Sequence, residues 1–169
     1  MITYTPTRPR IIVGVDGSPG SKLALEWAAR MAASESSDID VVGVWEYPVN
    51  LGWTALPAEY SPKHDMEKAV VQVVDEVFGP ERPRGLRVLT HEGNAAGVLI
   101  DKSADALMVI VGSRGHGGFV GLLIGSVSAR VAEHAKCPVL VVHAPKPHAP
   151  KPHATELHAV KNQSEESTS

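Results

Sequence analysis

The stretch that decides the fold runs from Val109 to Ala135, VIVGSRGHGGFVGLLIGSVSARVAEHA. Ala106 to Val111 is an apolar run with β-branched residues, the pattern of a strand buried on both faces. It leads into a glycine-rich loop, Gly112-Ser113-Arg114-Gly115, and the chain then meets Gly125-Ser126 and a helical pattern. The spacing is G-x2-G-x9-G-S. Backbone N–H groups of such a loop, together with a helix N-terminus, make a site for phosphate.

Working outward, strand-length apolar runs alternate with helical patterns. Arg10 to Val15 is the first strand, Ile39 to Trp45 the second, Leu86 to Thr90 the third, Ala106 to Val111 the fourth and Pro138 to Val142 the fifth. Ser18-Pro19 and Ser61-Pro62 each read as an N-cap followed by a first-turn proline. The first helix carries Leu23, Trp27 and Met31 every four residues, with Ala24 and Ala28 beside them, and ends near Ala33. The second carries Met66, Ala69, Val70, Val73, Val74 and Val77, and Gly79 suits its C-cap. Asn94 to Ser103 is a short third helix and Ser126 to Ala135 the fourth, with Val127 and Val131 on its core face. The β-α alternation predicts an α/β fold, a parallel sheet doubly wound with helices on both faces. In such sheets ligands lie outside the carboxyl ends of strands, where Asp16 and Gly112 both stand.

Composition bounds the rest. A chain of 169 residues favours one domain, here residues 9–143 between an N-terminal arm (1–8) and a tail (144–169). The tail repeats Ala-Pro-Lys-Pro-His at 144–148 and 149–153 and reads as disordered; its spaced histidines read as solvated. The net charge of −3 offers no basic footprint for nucleic acid. The single cysteine, Cys137, excludes an intrachain disulfide framework and reads as a small buried core residue. No run approaches the ~20 apolar residues of a membrane helix, and the N-terminus lacks a signal-peptide core, so the expected location is cytoplasmic with no membrane partner. Glu46 to Tyr60, with Pro48, Gly52 and Pro57, reads as a long loop.

The loop is neither a Walker A sequence, which ends in Gly-Lys-Ser/Thr, nor G-x-G-x-x-G, because Val120 stands where the last glycine belongs. Ser126 and Ser128 open the fourth helix, where hydroxyls reach phosphate oxygens; Ser126 can also cap the helix, and both roles can hold. Arg114 and His116 face either an anion or water. Asp16 accepts from a ligand hydroxyl or amine, or from the N–H groups of its own turn.

Taken together, Ile12-Val13-Gly14-Val15-Asp16-Gly17-Ser18, the strand ending Gly43-Val44, Gly93-Asn94-Ala95, the spaced glycine motif and Cys137-Pro138-Val139-Leu140-Val141-Val142 resemble the universal stress proteins, in their ATP-binding branch. The resemblance covers about residues 8–143. It implies a Rossmann-like sheet of five strands in the order 3-2-1-4-5. It implies that Asp16 and the main chain near Gly14 and Val15 contact adenosine, with Val44 at adenine. It implies that Gly112, Gly115, Gly125, Ser126, Val127 and Ser128 hold phosphates, with Arg114 in the same loop. The implied cofactor is ATP with Mg2+, with cyclic AMP as the alternative ligand. The implied function is a nucleotide-dependent switch in stress response, with slow ATPase activity as the alternative and no catalytic or metal residue assigned. Family members commonly dimerise through the last strand, here Pro138 to Val142, and an exposed apolar edge strand needs cover.

Overall fold

The computed structural model describes residues 8–47, 60–115 and 123–144. Residues 1–7 of the expected N-terminal arm, the middle of the Glu46–Tyr60 loop, His116 and residues 145–169 of the tail lie outside them. The strands are β1 (Arg10–Gly14), β2 (Asp38–Trp45), β3 (Leu86–Glu92), β4 (Met108–Gly112) and β5 (Val139–Val142). The helices are α1 (Pro19–Glu35), α2 (Pro62–Phe78), α3 (Ala95–Lys102) and α4 (Ser126–His134). All strand pairs are parallel, in the order β3-β2-β1-β4-β5.

Strand alternation divides the core into two layers. Ile11, Val13, Ile39, Val41 and Ile110 pack against α1 and α2 on one face. Ile12, Val42, Val109 and Val111 pack on the other with Ala96 and Leu99 of α3 and Val131 of α4. Burial on both faces accounts for the unbroken apolar runs of β1 and β4.

Helix boundaries follow local chemistry. Ser18, Ser61 and Asn94 each accept a hydrogen bond from a backbone N–H of the first turn of α1, α2 and α3. Gly79 closes α2 at φ 59°, a conformation glycine adopts without strain. β3 extends two residues past the expected Thr90 because Val44 and Trp45 of β2 pair with His91 and Glu92. β4 begins at Met108 rather than Ala106 because a 3-10 turn, Ser103–Asp105, precedes it.

The apolar stripe of α1 faces the core with its small residues at the centre. The buried apolar side chains are Ala24, Leu25, Ala28 and Ala32, while Leu23, Trp27 and Met31 flank the core half-buried. Small residues let the helix axis come close to the sheet, which pushes the large ones to the sides. Trp27 then stacks under the Arg30 guanidinium, 5.0 Å from its ring centre. Cys137 is likewise half-buried rather than buried, and partial desolvation raises its thiol pKa, so it remains a protonated thiol at neutral pH.

Among the described residues, one charged group lies inside the sheet. Asp40 of β2 is buried and accepts from Arg87 Nε at 2.8 Å and Nη2 at 2.7 Å on neighbouring β3, and from Arg10 on β1. Burial pushes its carboxyl pKa up, but the two guanidinium groups outweigh this and hold it below the usual carboxylate value.

Candidate functional site

The sheet order places β2 and β3 on one side of β1 and β4 and β5 on the other. The connections therefore leave β1 and β4 in opposite directions, and a crevice opens between their carboxyl ends. A cleft of about 600 Å³ occupies this point. The candidate residues from every part of the chain line it: Gly14, Val15 and Asp16 after β1, Val44 of β2, Gly112, Arg114 and Gly115 after β4, and Gly125, Ser126, Val127 and Ser128 at the start of α4.

The cleft has two chemically distinct ends. Val42, Val44, Leu99 and Val15 form an apolar end, and the glycine loop with the first turn of α4 forms a polar one. Sequence reasoning missed Val42, Ala95, Leu99, Val111, Ile124, Ser18 and Ser21 as lining residues. Ala95 and Leu99 are four apart on α3 and so share a face, but that pattern alone cannot distinguish a core contact from a cleft wall.

Helix α4 begins unlike the other three. Its N-cap is Gly125, which has no side chain to cap the helix, so among the described residues no N-cap side chain accepts from the first-turn N–H groups. Of the two roles open to Ser126, capping is excluded: it is the first helical residue, and its side chain is exposed at the cleft. The positive end of the helix dipole adds to these donors. Ser128 is buried, and its hydroxyl donates to the Gly112 carbonyl at 2.6 Å.

The glycines of the motif have different reasons to be glycine. A Cβ on Gly112 would lie 2.6 Å from the carbonyl carbon of Gly20 and 2.9 Å from its Cα, so β4 and the first turn of α1 touch through bare backbone. A Cβ on Gly115 would collide with Oδ2 of Asp16. A Cβ on Gly125 would meet only ordinary contacts, the nearest at 3.5 Å. Asp16 also accepts from the Ser18 N–H at 3.0 Å, which fixes the turn out of β1 and holds the exposed carboxylate at the cleft.

The universal stress protein family model matches residues 7–143. The chain belongs to the universal stress protein family. It is 36% identical over 150 residues to a universal stress protein of Mycolicibacterium smegmatis, covering 84% of this chain and 50% of that protein. It is 32% identical over 141 residues to a universal stress protein of Mycobacterium tuberculosis, covering 79% of this chain and 47% of that protein. The chain thus spans about half the length of the curated relatives it matches. Among solved structures, the universal stress protein UspA from Lactobacillus plantarum aligns with a TM-score of 0.62 at 18% identity, over 82% of this chain and 99% of that one. A universal stress protein solved in complex with cAMP aligns with a TM-score of 0.58 at 20% identity, over 82% and 99%. These structural likenesses show that the universal stress protein fold is shared, with its five-stranded Rossmann-like sheet. No helix among the described residues is long and apolar enough to cross a membrane.

Proposed function

We propose that this domain binds an adenine nucleotide in the cleft between β1 and β4, with ATP and Mg2+ as the preferred ligand, and acts in the cytoplasm as a nucleotide-dependent switch. The observation that carries the reading is the glycine-capped N-terminus of α4, opening onto a cleft whose far end is apolar. An adenine ring suits the slot between Val42, Val44 and Leu99. Phosphates suit the loop from Gly112 to Gly115 and the first-turn donors of Ser126, Val127 and Ser128. Asp16 is placed to accept from a ribose hydroxyl or an exocyclic amine. Bound Mg2+ would neutralise phosphate charge and take most of its oxygen ligands from phosphate and water.

Cyclic AMP is the second reading, favoured by the related structure solved with that ligand. It shares the adenosine and one phosphate and so would use the same two ends. Calorimetric titration of the full chain with ATP plus Mg2+, cyclic AMP and adenosine separates the readings. Saturable ATP binding that exceeds the other two supports the first, and preference for cyclic AMP supports the second. No binding at millimolar ligand overturns both. Product analysis of the same ATP samples reads slow hydrolysis.

A homodimer through Pro138 to Val142 belongs to the same proposal. β5 is an edge of the sheet, and its Val139, Leu140 and Val141 are only half-buried. Light scattering on the eluting protein tests it: a mass of one chain would refute it.

A further inference from the structure

Three consecutive carbonyls, from Gly112 to Arg114, are held by the starts of two helices, α4 and α1. Gly112 O accepts from Ser128 Oγ of α4 at 2.6 Å. Ser113 O accepts from Gly125 N at 2.7 Å, and Arg114 O accepts from Ser18 Oγ, the N-cap of α1, at 3.3 Å. The Ser113 N–H is spent on Val142 O of β5 at 2.6 Å. The peptide bonds are trans, so each N–H points away from the carbonyl of its own peptide group. Fixing the carbonyls of Ser113 and Arg114 therefore fixes the opposite directions of the Arg114 and Gly115 N–H groups. Neither N–H makes a backbone–backbone hydrogen bond among the described residues, and both residues line the cleft.

We propose that Ser18 is a positioning residue for the anion loop, orienting the Gly115 N–H through the Arg114 carbonyl, and that Ser128 keeps the Gly112 carbonyl paired, neither hydroxyl donating to the ligand. The inference rests on the adenine-nucleotide reading and deepens it. A serine hydroxyl has one proton, and an ionised phosphate oxygen only accepts. Both protons already go to loop carbonyls. Both side chains lie at the floor of the site, in residues only 4% and 5% exposed. Without Ser128, the Gly112 carbonyl becomes an unpaired acceptor beside the cleft, which repels an anion. Without Ser18, the Arg114 peptide is free to rotate and withdraw the Gly115 N–H.

The test uses the full chain labelled with nitrogen-15, as wild type, Ser18→Ala, Ser128→Ala and the hydroxyl-restoring Ser18→Thr and Ser128→Thr. Ser61→Ala serves as control, because it removes an equivalent N-cap at a residue that does not line the cleft. In the ligand-free protein, Ser18→Ala shifts the Gly115 amide resonance and Ser128→Ala that of Ser113, whereas Ser61→Ala leaves both in place. ATP affinity falls about tenfold in each alanine variant while adenosine affinity stays within about twofold, and threonine restores both readouts. Loop amides that do not move in the free protein, or an equal loss for adenosine and ATP, overturn the assignment. If the wild type binds no nucleotide, the proposed function fails, while the ligand-free amide shifts still decide whether the serines orient the loop.

Discussion

Two glycines of one motif should respond differently to the same added methyl group. In Gly112→Ala the new Cβ would stand 2.6 Å from Gly20 C and 2.9 Å from both Gly20 Cα and Gly20 O. Those are backbone atoms of the first turn of α1, so no rotamer change relieves the clash; strand or helix must move. Overpacking of this kind costs about 1–3 kcal/mol, and rigid backbone on both sides puts this case near the upper end. For a domain of this size about 3 kcal/mol corresponds to a fall in melting temperature of roughly 6–12 °C. In Gly125→Ala the Cβ would meet Ser113 O at 3.5 Å and Arg114 Cα at 3.6 Å, both ordinary contacts. The backbone at Gly125, φ −78° and ψ 161°, suits alanine. Only the poorer N-cap preference of alanine remains, below about 1 kcal/mol or roughly 4 °C. The assay is thermal unfolding followed by circular dichroism, with both variants at one concentration and without ligand. Gly112→Ala melting within 2 °C of wild type, or below-wild-type shifts in the reverse order, would refute the argument that close α1–β4 approach demands Gly112.

Two further predictions concern charge inside the fold. Asp40→Asn should lower stability by about 1–2 kcal/mol at pH 7, less than a fully buried ion pair would cost because Arg87 is half exposed. Since the native carboxyl pKa lies below its unfolded value, its contribution is present above about pH 4 and is lost as pH falls through the native value; the variant should flatten this acid limb in urea titrations, and an unchanged limb would refute it. His91, whose Nε2 is buried without a partner among the described residues, has its pKa lowered first by desolvation and then by Lys102. The unfolded chain therefore takes up a proton below about pH 6.5 before the native one does, and stability falls as pH drops; His91→Leu should reduce the change in urea midpoint between pH 7.5 and 5.5, and an identical change would count against the assignment.

The order of elements was legible because it depends on local signals. Continuous β-branched runs, Ser-Pro caps and Gly79 each act within one turn or strand, so neighbouring residues specify them. Element ends were less legible. β3 runs to Glu92 because β2 offers partners that far, and sequence near Thr90 carries no trace of this. The α1 stripe was legible, but not its centre: Leu23, Trp27 and Met31 pack against the core from the sides, and the distance between helix and sheet favours alanines in the middle.

The candidate site divides along the same line. The spaced glycines and Asp16 marked the cleft from sequence, and the fold brings their residues together. Sequence could not separate the roles within the motif, because each depends on an atom far away in the chain. Gly112 answers to Gly20, Gly115 to Asp16, and Ser128 to the Gly112 carbonyl. The sequence by itself determined an alternating α/β chain with a phosphate-suited loop after its fourth strand. Only the tertiary structure decided which glycines serve packing and which hydroxyls are already engaged, since contact between distant backbones is settled by how the helices seat on the sheet.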